Sequence, residues 1–71
     1  MSREKNHPIV KRMRQLHIPI SQIAHHVMLS LNDLEGWIAG ENGLSYVSIF
    51  RICELLDVDY NEVLKWELDN A

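Results

Sequence analysis

The apolar residues of this chain recur at spacings of three and four, in short groups fenced off by proline, glycine and helix-capping residues. Nowhere do they alternate with period two for long enough to build a strand. That pattern confines the chain to an all-α fold, and its punctuation predicts five short helices. Pro8 suits the first position of a helix, where a missing N–H costs nothing. From it Ile9, Val10, Met13 and Leu16 fall on one side, while Lys11, Arg12, Arg14 and Gln15 face out. Ile18-Pro19 ends that helix and opens a second over about residues 20–27, with Ile23, Ala24 and Val27 inward.

Met28-Leu29 then reads as a turn. Ser30 is a good N-cap, and Asp33 three residues on gives a capping box with Asp for Glu. The third helix that follows holds Leu34, Trp37 and Ile38 on one face, and Gly40 is its left-handed stop. Ser45 caps a fourth helix bearing Val47, Ile49, Phe50, Ile52, Cys53, Leu55 and Leu56, the most apolar stretch and the expected centre of the core. Asp59 caps a short fifth helix that buries Val63 and Leu64. Trp66 and Leu68 lie past the last core pair, where a seam with a second copy of the chain is slightly favoured over internal packing. The expected organisation is a basic N-terminal arm over 1–7, one compact bundle over 8–66 and a tail over 67–71.

Length and composition close off most other classes. At 71 residues the chain holds one small domain, and a core that size gains only a few kcal/mol. A single cysteine, Cys53, rules out an internal disulfide framework and reads as a small core residue. No apolar run is long enough to span a membrane, and the polar first eight residues lack the core of a signal peptide. The expectation is a soluble cytoplasmic protein. No glycine-rich phosphate loop, Ser–His–acid set or metal-ligand spacing occurs, so no enzyme, cofactor or metal site is expected. His17, His25 and His26 fit a solvated surface, because adjacent helical residues point about 100° apart and do not easily share a metal.

The net charge of −3 is unevenly spread. Residues 1–14 carry Arg3, Lys5, Lys11, Arg12 and Arg14 against Glu4 alone, a local charge of +4. Residues 15–50 have no Lys or Arg and hold Asp33, Glu35 and Glu41; residues 51–71 sum to −4. A basic head on an acidic body puts every candidate phosphate contact outside the stretch between Gln15 and Phe50.

The second and third helices carry the most specific spacing. Ala24 is small enough for a close crossing, Leu29 is the apolar residue of the turn, and Leu34, Trp37 and Gly40 follow Ser30 at fixed offsets. With Ile49 to Val58 as a fourth helix and Val63-Leu64 in a fifth, roughly residues 8–65 resemble the lambda-repressor/Cro-like (XRE-type) helix-turn-helix family. The resemblance implies a five-helix lambda-repressor-like domain that binds DNA as a homodimer, with its third helix in the major groove. It implies a small transcriptional regulator, such as a repressor of a phage, plasmid or other mobile element. Carried over by position, the DNA- or partner-binding residues are Ser21, Gln22, Ser30, Leu31, Asn32, Asp33, Glu35 and Gly36. Gln22 and Asn32 suit adenine, Asp33 or Glu35 a cytosine amino group, and Leu31 a thymine methyl. Phosphate contacts fall to Arg3, Lys5, Lys11, Arg12 and Arg14.

The chain departs from the family's habit in three places. Ile20 stands where Gln is usual, Met28 where the turn usually has Gly, and two acids, a leucine and a glycine occupy the exposed face of the third helix. These support an alternative from another class: a helix-turn-helix fold turned protein-interaction module, an antirepressor or antiactivator. It would set Met28, Leu31, Asp33 and Glu35 against a basic surface of another regulatory protein.

Overall fold

A computed structural model describes residues 3–70. Among them are six helices and no strand: α1 (Arg3–Asn6), α2 (Pro8–Leu16), α3 (Ile20–His26), α4 (Leu31–Ala39), α5 (Tyr46–Leu56) and α6 (Tyr60–Asp69). The fold is therefore all-helical, with one helix more than the punctuation predicts.

Most helix ends follow from local chemistry. Ser30 Oγ accepts from the Asp33 N–H at 3.0 Å and starts α4; Ser45 Oγ accepts from the Ser48 N–H at 3.2 Å and starts α5. Asp59 Oδ1 accepts from the Asn61 N–H and starts α6. Each bond satisfies one of the donors that a helix start leaves open. Gly40 stops α4 at φ 81°, in the left-handed region that favours glycine. His17 and Asp57 stop α2 and α5 in the same region without being glycine. Met28, in the α3–α4 turn, is also left-handed at φ 59°. An L side chain there costs about 1–2 kcal/mol.

The core draws on five helices. Ile9 and Met13 come from α2, Ile23 and Ala24 from α3, and Leu34, Trp37 and Ile38 from α4. Ile49, Ile52, Cys53 and Leu56 come from α5, and Val63 from α6. The molecule measures 27 × 23 × 22 Å. α3 packs on α4, α2 packs on α5 and α6, and α1 bridges α2 and α4. α5 is apolar on more sides than the core can use, so Val47 and Phe50 stay exposed.

The extra helix is the main departure from the sequence reading. The described part of the N-terminal arm, residues 3–7, coils into α1 and folds onto the body. Arg3 fixes it there. Its Nε donates to the Ile38 carbonyl at 3.1 Å, and its Nη1 to the Asn70 carbonyl at 2.8 Å. Its Nη2 pairs with Glu67 Oε2 at 2.6 Å, and its guanidinium lies 4.7 Å from the centre of the Trp66 ring. α6 includes Glu67, Leu68 and Asp69, three residues expected in the tail, and Arg3 meets it at Glu67 and Asn70. Met1 and Ser2 of the arm and Ala71 of the tail lie outside the described residues.

Candidate functional site

The α3–turn–α4 segment spends one side on the core and leaves the other in solvent. Ile23, Ala24, Val27, Leu34, Trp37 and Ile38 are buried. Ser21, Gln22, Ser30, Leu31, Asn32, Asp33 and Glu35 are exposed. At 100° per residue, Leu31, Asn32 and Glu35 share one face of α4, and Asp33 turns away from them. Asp33 instead sits by the α4–α5 loop, where its carbonyl accepts from Asn42 Nδ2 at 3.2 Å. Met28 at 87% exposure adds an apolar side chain at the turn.

Gly36 is not exposed to a partner. It is buried, and the position a Cβ would take is occupied by the Asn42 side chain. The Gly36 carbonyl also accepts from the Glu41 N–H at 2.8 Å. The missing side chain lets the α4–α5 loop fold back on its own helix.

The five basic residues expected on phosphates divide into two groups. Lys5, Lys11 and Arg14 are exposed. Arg3 is held in the clamp described above. Arg12 donates from Nε to the Leu56 carbonyl at 2.8 Å and from Nη1 to Gln15 Oε1 at 3.2 Å. Both arginines thus bond carbonyls at the ends of other helices, where a cation also meets the negative end of the helix dipole.

Arg14 faces α4 across a groove of about 1190 Å³ between α2 and α4. Val10, Ile18, Ile20 and Ala39 give it an apolar floor, and Asn32, Glu35 and Glu41 lie on its α4 side. The groove exists because α4 packs chiefly on α3 and α1, and α2 chiefly on α1, α5 and α6. A smaller groove of about 490 Å³ lies between the α4–α5 loop and α6, beside Leu44, Tyr46, Leu64 and Leu68. Leu68 is 80% exposed there, whereas Trp66 is half-buried. Trp66 therefore packs within the chain.

His7 is the one buried polar residue among those described. Its Nδ1 accepts from the Ile9 N–H at 3.2 Å and caps α2. Its ring stands edge-on to Trp37 and tilted against Trp66, each at 4.7 Å between centroids. With Nδ1 accepting, the neutral ring carries its proton on Nε2, which has no hydrogen-bond partner among the described residues. Burial, and then the charge on Arg3, push its pKa down to about 4. His7 lies in the stretch expected to be a basic arm, and it was not among the expected site residues. The available signal was its place before Pro8, the N-cap position, although histidine is not a preferred cap.

Cys53 is buried in the core on α5. Burial, and then Asp59, push the Cys53 thiol up to about 11, so it stays protonated at neutral pH. No group of three or more His, Cys, Asp or Glu among the described residues is arranged to hold a metal ion. No helix among the described residues is long and apolar enough to cross a membrane. Comparisons with family models, with curated proteins and with solved structures find no match to this chain.

Proposed function

We propose that the chain is a lambda-repressor/Cro-like helix-turn-helix regulator that reads DNA through the exposed side of α3 and α4. The observation that carries this reading is the division of those two helices. Ile23, Ala24, Leu34, Trp37 and Ile38 enter the core, Leu31 alone of the large apolar residues stays exposed, and the polar residues, Gln22 and Asn32 above all, are exposed at the first turns of each helix. A Gln or Asn so placed can bond adenine through both ends of its amide. The left-handed Met28 supports the fold assignment, because it stands at the turn position where that family usually has glycine. Homodimerisation belongs to the same proposal, with Leu68 and Tyr46 as the exposed apolar residues that a second copy would cover.

With Arg3 and Arg12 engaged internally, Lys5, Lys11 and Arg14 are left for phosphates. Three neutralised phosphates give a log–log salt slope of about −2.7 per protomer. Gel retardation with fragments from the protein's own locus tests the reading. The expected result is retention of one fragment over random DNA, a slope near that value, and loss of site preference in Asn32→Ala. Equal retention of all fragments, or of none, removes it.

A second reading is favoured by a specific observation. Glu35 shares the exposed face of α4 with Leu31, Glu41 follows the end of that helix, and Met28 adds exposed apolar surface at the turn, while Asp33 lies on the loop side. Such a face suits a basic protein surface better than a phosphate backbone. Under this reading the chain is an interaction module, an antirepressor or antiactivator, and retards no DNA.

A further inference from the structure

We propose that the groove between α2 and α4 is a docking site for a basic amphipathic helix of a partner protein. The groove is open, and its volume of about 1190 Å³ exceeds the roughly 300–1,000 Å³ of ordinary small-molecule sites. Its floor is half-buried Val10, Ile18, Ile20 and Ala39, four aliphatic side chains that none of the six helices covers completely. A helix laid in a groove buries such a floor with apolar residues at i, i+3, i+4 and i+7.

Charge selects the occupant. Glu35 and Glu41 stand exposed on the α4 wall and form no ion pair among the described residues. The cation across from them is Arg14. A helix with Lys or Arg beside its apolar stripe meets both carboxylates, whereas an acidic helix meets them with like charge. The acidic α6 of a second copy is excluded on the same ground.

The site does not depend on the DNA reading, but it bears on it. Asn32 and Glu35 belong both to the groove wall and to the exposed face of α4. A helix seated in the groove would cover the residue proposed to read adenine, so partner binding and DNA binding would exclude each other.

The test uses the full chain, labelled with nitrogen-15, and two synthetic 18-residue peptides of Leu and Ala. One carries Lys on both flanks of its leucine stripe, and the other carries Glu at the same positions. The basic peptide is expected to shift the backbone amide signals of Val10, Ile18, Glu35 and Ala39, and the acidic peptide to leave them in place. Glu35→Gln with Glu41→Gln is expected to weaken the basic peptide about three- to tenfold, the effect of two exposed charge pairs. Circular dichroism confirms that this variant folds. Equal binding of the two peptides, shifts centred on Tyr46 and Leu68, an affinity unmoved in the double variant, or no binding at all would each overturn the proposal.

Discussion

His7 shows how one residue can tie stability to pH. Its ring is buried neutral between two tryptophans, beside the positive charge of Arg3. Its folded pKa of about 4 lies below the ordinary 6.5, so between those values the unfolded chain binds the proton more tightly. The contribution is complete above pH 6.5, falls as pH drops toward 4, and is gone below that. The depression corresponds to roughly 3 kcal/mol, a large share of the roughly 4–10 kcal/mol expected for a domain this size. Urea denaturation at intervals from pH 7 to pH 4 should lose about 1.4 kcal/mol per pH unit through the middle of that range. In His7→Asn, which keeps a capping acceptor and removes the proton, that part of the slope should vanish. A variant retaining the full slope would show that other groups carry it. Met28 makes a separate prediction. Replacing it with Gly removes the cost of a left-handed L residue but adds backbone entropy to the unfolded chain. The balance should raise stability by about 0.5–1 kcal/mol in the same assay, and a loss of stability would mean that the exposed Met28 side chain packs in solution.

At the scale of elements, sequence and structure agree where the signal is local. Ser30, Ser45 and Asp59 each cap the helix they were expected to start, and Gly40 stops α4, because each device acts within a few residues of itself. The inward faces of α3 and α4 were legible for the same reason, since 3.6-residue periodicity belongs to one helix at a time. What periodicity does not hold is a contact across distant sequence. Arg3 meets Ile38, Glu67 and Asn70, and Arg12 meets Leu56. Those contacts engage two of the five expected phosphate ligands within the chain. Gly36 is the intermediate case. The helix position was readable, but the loop that returns to cover it was not. That loop makes a testable pair. Gly36→Ala alone gains about 1 kcal/mol of helix propensity but evicts the Asn42 side chain, which bonds the Asp33 and Gly43 carbonyls. The two effects should nearly cancel. In an Asn42→Ala background the same substitution should stabilise by about 1 kcal/mol, and a double-mutant cycle measures the difference. Additive effects would show that the loop does not rest on Gly36.

At the scale of the molecule, the chain is closed at its two ends by a single side chain. α1 and the end of α6 are far apart in sequence, and Arg3 joins both to the end of α4. The geometry calls for a guanidinium. Nε, Nη1 and Nη2 each serve a different acceptor, and the planar face lies on Trp66. A lysine ammonium carries the charge but not the fork or the flat face. Arg3→Ala should therefore cost about 2 kcal/mol, partly offset by water at this half-buried site, and Arg3→Lys should recover less than half of it. The same closure makes the loss local before it is global. Hydrogen exchange should quicken first at the amides of α1 and of Trp66 to Asn70, while those of Ile23, Leu34 and Ile52 keep the protection of the core. Uniform quickening at all of these sites would mean that the clamp is part of the cooperative core. An unchanged pattern in Arg3→Ala would mean that Trp66, seated on His7, holds α6 without it.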